Sequence, residues 1–239
     1  MKVAASIRKR ITDQGPDSLW SYADFAGLPF QAVAKSLSRL AKDGLVQRIR
    51  KGLYYYPKQT ALGASQPSAS ALLAKTVMRG GNTLVFSGGT ASFQNLGLTT
   101  QVPAQYTLFG SSSSRTVRIG KITARIHRRD LGHLTGATQQ DVWCLDAIRN
   151  LKHVPDSTPA DALKKIMRQF KTGAQPVKRL LRFAQGEPPR VRALIGAMAE
   201  QVGYRGPEIK KLRNSLNPLT KFRIGVALVL SNASAWNIE

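Results

Sequence analysis

The chain has 239 residues, 42% of them apolar, and carries 36 basic against 13 acidic side chains, a formal charge of +23. That apolar share is ordinary for folded domains, so the charge belongs to folded surfaces and implies a polyanionic or acidic partner. The single cysteine, Cys144, excludes an internal disulfide and a thiolate metal cluster, and no stretch approaches the roughly 18 apolar residues that cross a bilayer.

The start, Met1-Lys-Val-Ala-Ala-Ser-Ile-Arg-Lys-Arg, lacks the apolar core of a signal peptide, so cytoplasmic residence is the default expectation. It reads instead as an amphipathic helix with Val3, Ile7 and Ile11 on one face. Residues 20–56 then predict a short helix, a tight turn, a second helix and a β-hairpin, the order of a winged helix-turn-helix. In Phe30–Asp43 the apolar residues Phe30, Val33, Leu37, Leu40 and Ala41 recur at three- and four-residue steps. Pro29 suits the entry to that helix, and Gly44 suits the left-handed position that ends it.

The opposite face presents Gln31, Lys35, Ser38, Arg39 and Lys42, donors fitted to base edges and phosphates, with no acid before Asp43. Arg48, Arg50 and Lys51 surround the Lys-Gly turn of the hairpin, where phosphate contact is expected, and Leu53 to Tyr56 forms the return strand. Winged helices also dock on proteins, so a basic RNA- or protein-binding module without repressor activity is the rival reading.

Pro57 to Ser70, rich in Gln, Ser, Pro, Gly and Ala, reads as a linker, which places a DNA-binding domain at 1–60 and a second domain at 68–239. Ala69 to Met78 looks helical and Arg79-Gly-Gly-Asn breaks it. Thr83 to Ser87 reads as a strand entering a helix-like stretch, Gly88 to Leu98. Gly88-Gly89 lacks the spacing of a phosphate-binding loop, so a tight strand-to-helix turn is the better account.

Residues 106–109, 115–119 and 122–128 alternate or run β-branched and predict three strands, with Gly120-Lys121 as a hairpin turn. One sheet face is expected to be basic, from Arg118, Arg125 and Arg128 or Arg129. From Gly136 the pattern turns helical, over 138–151, 158–170, 176–183 and 188–202, and 221–230 fits either a strand or a buried helix. The whole is thus α+β: a winged helix, then a mixed domain that divides further into 68–135 and a mainly helical 136–239.

Charge is spread over all of it. Residues 1–60 hold 11 basic and 4 acidic side chains, 61–135 hold 8 and 1, and 136–239 hold 17 and 8. Arg118, Arg125, Arg128, Arg129, Lys178, Arg179 and Arg182 are therefore candidates for a second basic surface, with a generally basic exterior as the alternative. Chemistry is harder to find. His127, His133 and His153 have no metal-ligand spacing, no paired Asp motif suits Mg²⁺, and no Gly-x-Ser-x-Gly elbow exists, so neither an enzyme nor a cofactor is expected. Cys144, within a helical stretch, reads as a small buried apolar residue.

Ala34-Lys-Ser-Leu-Ser-Arg-Leu-Ala-Lys-Asp-Gly-Leu-Val46, Arg50-Lys-Gly-Leu-Tyr-Tyr-Tyr-Pro57 and Ser87-Gly-Gly-Thr-Ala-Ser-Phe-Gln-Asn-Leu-Gly-Leu-Thr99 resemble the AbiEi family of bacterial antitoxins. The tail, from Leu212 to Pro218 and through Ala235 to Ile238, is similar to a branch of the same proteins. The resemblance implies a type IV antitoxin whose winged helix represses its own operon at inverted repeats of duplex DNA. It also implies a second domain that counteracts a nucleotidyltransferase-like toxin without a stable complex being expected. A solitary winged-helix transcription factor is the alternative within the same resemblance.

Overall fold

Burial of two isoleucines one helical turn apart sets the first element, α1 (Val3–Gln14), in which Ile7 and Ile11 are wholly enclosed. The structure, a computed structural model, describes residues 3–77, 85–120, 122–170 and 174–239 and is a mixed α+β fold. It divides into two compact units, Met1–Val85 with Thr116–Ala124, and Phe86–Arg115 with Arg125–Glu239.

In the first unit β1 (Ser18–Ser21) follows α1, then a 3-10 turn (Tyr22–Phe25), α2 (Phe30–Lys42), β2 (Gln47–Arg50) and β3 (Leu53–Tyr56). The three strands form an antiparallel sheet in the order β1-β3-β2, with Trp20 opposite Tyr54 and Gln47 opposite Tyr55. The helix expected from Trp20 is therefore a strand and a single 3-10 turn. Pairing with β3 draws Ser18–Ser21 into the sheet, and the Asp24 carboxylate closes the turn by accepting from the Ser21 N–H at 2.5 Å. Ile7, Ile11, Trp20, Phe25, Val33, Leu37, Leu40, Val46 and Tyr54 make one core, in which Trp20 and Phe25 stack at 5.3 Å.

The stretch expected to be a linker has structure of its own. β4 (Gln59–Thr60) and β5 (Gly63–Ala64) pair antiparallel, and Ser65 ties the hairpin back to the unit. The Ser65 and Tyr55 hydroxyls each donate to Asp17 Oδ1 at 2.6 Å, and the Lys58 N–H donates to Ser65 Oγ at 2.8 Å. Those hydroxyls, Ser65 first and then Tyr55, hold the Asp17 carboxyl below its ordinary range. Next, α3 (Ala69–Val77) is fixed by a 2.6 Å ion pair from Lys75 to Asp24. The break at 79–82, the start of the strand expected at 83 and Lys121 of the hairpin turn lie outside the described residues.

Next in chain order come β6 (Val85–Gly88), α4 (Thr90–Asn95), β7 (Tyr106–Gly110), β8 (Arg115–Ile119) and β9 (Ile122–Arg128); Val85, Thr116–Ile119 and Ile122–Ala124 belong to the first unit and the other residues of these elements to the second. The strands order as β6-β7-β9-β8. α5 (Gln139–Arg149), α6 (Pro159–Phe170), α7 (Ala174–Ala184), α8 (Pro189–Gln201) and α9 (Pro207–Asn214) follow; the first four lie close to the helices that the periodicity predicts, whereas α9 has no counterpart among them. The Thr138 hydroxyl and the Asp141 carboxylate cap α5 reciprocally, and at the start of α6 the Asp161 N–H donates to the Thr158 hydroxyl oxygen at 3.1 Å while that hydroxyl donates to the Asp161 carboxylate at 2.7 Å. α8 is buried on almost every side, from Val191 through Ala199.

The tail is neither strand nor long helix. Phe222 bridges Ile238 in parallel, with the Phe222 N–H donating to the Asn237 carbonyl at 2.7 Å, while turns bury Val226 and Leu230. Trp236 in a final 3-10 turn is 0% exposed, donates to Glu200 at 2.7 Å and lies over the α8 glycine Gly196. A methyl at Gly196 would overlap that indole ring. Gly196→Ala gains about 1 kcal/mol of helix propensity, yet overpacking should dominate and leave the chain about 1–3 kcal/mol less stable. Urea denaturation followed by tryptophan fluorescence reads the difference, and unchanged or raised stability would refute this packing.

Candidate nucleic-acid interface

The geometry of α2 begins with its buried side. Val33, Leu37 and Leu40 lie in the core with Ile7 and Ile11, so the helix has no freedom to rotate about its axis. Gly44, at φ +77°, ends it in the left-handed conformation, and Leu45 N–H returns to the Leu40 carbonyl at 3.0 Å. Beyond Phe30, what is left outward is one arc, about 100° wide, carrying Gln31, Lys35, Ser38, Arg39 and Lys42 over about 16 Å of helix. Ser38 is half-buried and the other four are exposed. No acid interrupts the arc, and among the described residues none of the five side chains makes a hydrogen bond or an ion pair.

The neighbouring hairpin adds three more free cations. Arg48 faces Tyr54 and Arg50 faces Leu53 across a bulge, Gly52 turns the chain at φ +79°, and Arg48, Arg50 and Lys51 are all exposed. All eight residues named from the sequence thus lie on the first unit's surface, and among the described residues none of their side chains has a hydrogen-bond or ion-pair partner. The reading of Phe30 as part of the buried stripe is corrected. It opens α2 ahead of the stretch that α1 covers, is 64% exposed, and meets Tyr22 edge-on at 5.0 Å. Helical spacing gave no means to find this, because the period alone does not say where the covering helix stops.

In the second surface, Arg118 and Arg125 are exposed on β8 and β9. Arg128, three positions beyond Arg125, falls by strand alternation on the side of Ala124 and Ile126, exposed at the strand's end. Arg129 is differently employed. Its guanidinium lies 3.8 Å over the Phe109 ring and 3.9 Å from Asp146, and its side chain is 22% exposed. Lys178, Arg179 and Arg182 do converge: with Gln185, Glu208 and Lys211 they line a groove of about 580 Å³ between α7 and α9. Arg179 spends its Nε on Asp141 at 2.9 Å, and Arg182 lies over Phe183. Lys211 is the cation that sequence reasoning missed there, since only the packing of α9 on α7 brings it in.

The acids explain why the exterior is so positive. Apart from Asp13 and Asp43, every carboxylate holds a hydrogen bond or an ion pair, as in Glu187 with Arg149 and His133, and Glu200 with Trp236, Asn232 and Arg213. Asp146 is the clearest case. Its carboxylate accepts from the Gly89 N–H at 2.7 Å and the Ser92 hydroxyl at 3.0 Å, filling the position where a phosphate would meet the Gly-Gly turn. Burial pushes the Asp146 carboxyl up, against the Gly89 and Ser92 bonds and the charges of Arg129 and Arg149. The turn is structural, as its sequence implied.

Among the described residues no group of three His, Cys, Asp or Glu side chains is placed to hold a metal ion. Cys144 is buried, and that burial pushes its thiol up to about 12. The native protein should therefore resist iodoacetamide at pH 8 and become modified only after denaturation, as read by intact-protein mass spectrometry. Rapid native labelling would contradict this placement.

Residues 6–174 match a protein family described as a family of unknown function, DUF6088. The chain belongs to that family. No curated protein matches this DUF6088 member significantly. Among solved structures it is similar to the RV2827C protein from Mycobacterium tuberculosis, at 12% identity and a TM-score of 0.52, over 99% of this chain and 89% of that one. At that identity the likeness concerns the fold alone. No helix among the described residues is long and apolar enough to cross a membrane.

Proposed function

We propose that this DUF6088 member binds duplex DNA through a winged helix-turn-helix in its first unit, as the antitoxin and autorepressor of a toxin–antitoxin operon. One observation carries the reading: the outward arc of α2 bears Gln31, Lys35, Ser38, Arg39 and Lys42 with no acid and no internal partner. The element order of the unit and its β1-β3-β2 sheet support it, since they leave α2 followed directly by a basic hairpin. In this reading α2 enters the major groove, while Arg48, Arg50 and Lys51 hold phosphates. The antitoxin role rests on the resemblance to the AbiEi family, which implies an inverted-repeat operator and a nucleotidyltransferase-like toxin counteracted by the second unit. There the α7–α9 groove with Lys178, Arg179 and Arg182, and the exposed Arg125 and Arg128, are surfaces available for nucleic acid, as is the exposed Arg118 in the first unit. Arg129, paired inward, contributes less.

The two classes of contact separate experimentally. A bidentate base contact discriminates by about 1–3 kcal/mol, so Arg39→Ala should relax preference at one base pair of a half-site. Lys51→Ala should weaken matched and unmatched duplexes alike and lower the slope of log affinity against log salt by about one. Fluorescence anisotropy across a salt series reads both effects. Parent-like binding by both variants would refute the groove assignment.

A further inference from the structure

Phe30 is a large apolar side chain left in water although the stripe it begins is otherwise buried, with Val33, Leu37 and Leu40 inside the core. Its ring is nonetheless held in place. Pro29 precedes it with φ −57°, Tyr22 packs against it edge-on at 5.0 Å, and Tyr22 in turn lies 6.3 Å from the core residue Tyr54. An aromatic chain thus runs from the sheet to the first residue of α2 and fixes an exposed ring beside Gln31. The leading residues of a groove-reading helix are those that meet base edges, and a major groove offers one apolar feature, the 5-methyl of thymine.

We infer that Phe30 is a specificity-determining residue that packs on a thymine 5-methyl group next to the base pair read by Gln31. The inference rests on the DNA-binding reading proposed above. A ring fixed before binding loses little freedom on contact, which suits it to sense a single methyl group. Gln31, one position on, carries the amide that pairs bidentately with adenine, so the two side chains together favour an A·T-containing step.

Deoxyuridine pairs as thymidine does and lacks only the methyl, so it isolates this contact. The duplex that the full chain enriches from random-sequence DNA is prepared with each thymine in turn replaced by deoxyuridine. Binding is measured for the parent and for Phe30→Ala, whose thermal melt confirms an intact fold. One thymine per half-site should prove sensitive, its replacement weakening the parent about fourfold, the equivalent of one buried carbon group. Phe30→Ala should bind the thymine and uracil duplexes equally. No sensitive thymine in the parent, or the same sensitivity surviving in Phe30→Ala, overturns the role of Phe30 while leaving duplex binding standing. Failure of the parent to enrich any duplex overturns the DNA-binding reading, and this inference with it.

Discussion

The burial of Val33, Leu37 and Leu40 with Ile7 and Ile11 is the constraint from which the candidate interface follows. A helix whose apolar stripe is locked in a close-packed core can present only the complementary arc to solvent. In α2 that arc carries five donors and no acceptor of opposite charge. The same core includes Trp20, Phe25 and Tyr54, so the sheet and the aromatic chain leading to Phe30 depend on it as well. A change that loosened this cluster would disorder the α2 arc and the β2–β3 hairpin together.

A second economy shapes the rest of the surface. Carboxylates are scarce, and several are directed at structural work: capping α5 and α6, holding the Gly88-Gly89 turn, and neutralising half-buried guanidinium groups such as Arg129 and Arg149. A carboxylate that accepts buried N–H donors is unavailable to screen a surface lysine. The excess of positive charge is therefore spread over the exposed surface, and the arc of α2, the β2–β3 hairpin and the α7–α9 groove each hold several of its cations. Arg129 is an exception, a half-buried cation held against Asp146 and Phe109, while Arg179 pairs with the buried Asp141 from the surface.

Elements decided by local pattern were legible in the sequence. α1, α2, the β2–β3 hairpin and α8 follow from spacing, from Pro29 and Gly44, and from a Lys-Gly turn, each signal lying within or beside the element it sets. Elements decided at a distance were not. Ser18–Ser21 is a strand because β3, more than thirty residues later, supplies its partner. The 57–70 stretch carries the composition of a linker, but two hydroxyls converging on Asp17 convert it into an anchored hairpin. The 221–230 stretch takes its form from a parallel bridge between Phe222 and Ile238, which no period records. The donors of α2 were legible individually, because a helix face is a local property. The convergence of Lys211 with α7, and the diversion of Arg129 to Phe109 and Asp146, are tertiary facts.

Duplex recognition by the α2 arc is the central claim, and it is open to one direct measurement. The full chain is offered random-sequence duplex DNA and random-sequence RNA in parallel at near-physiological salt, and the retained molecules are sequenced over successive rounds. The account predicts enrichment of a duplex containing an inverted repeat, with no comparable enrichment of RNA. Retained RNA affinity without any enriched duplex sequence would contradict it.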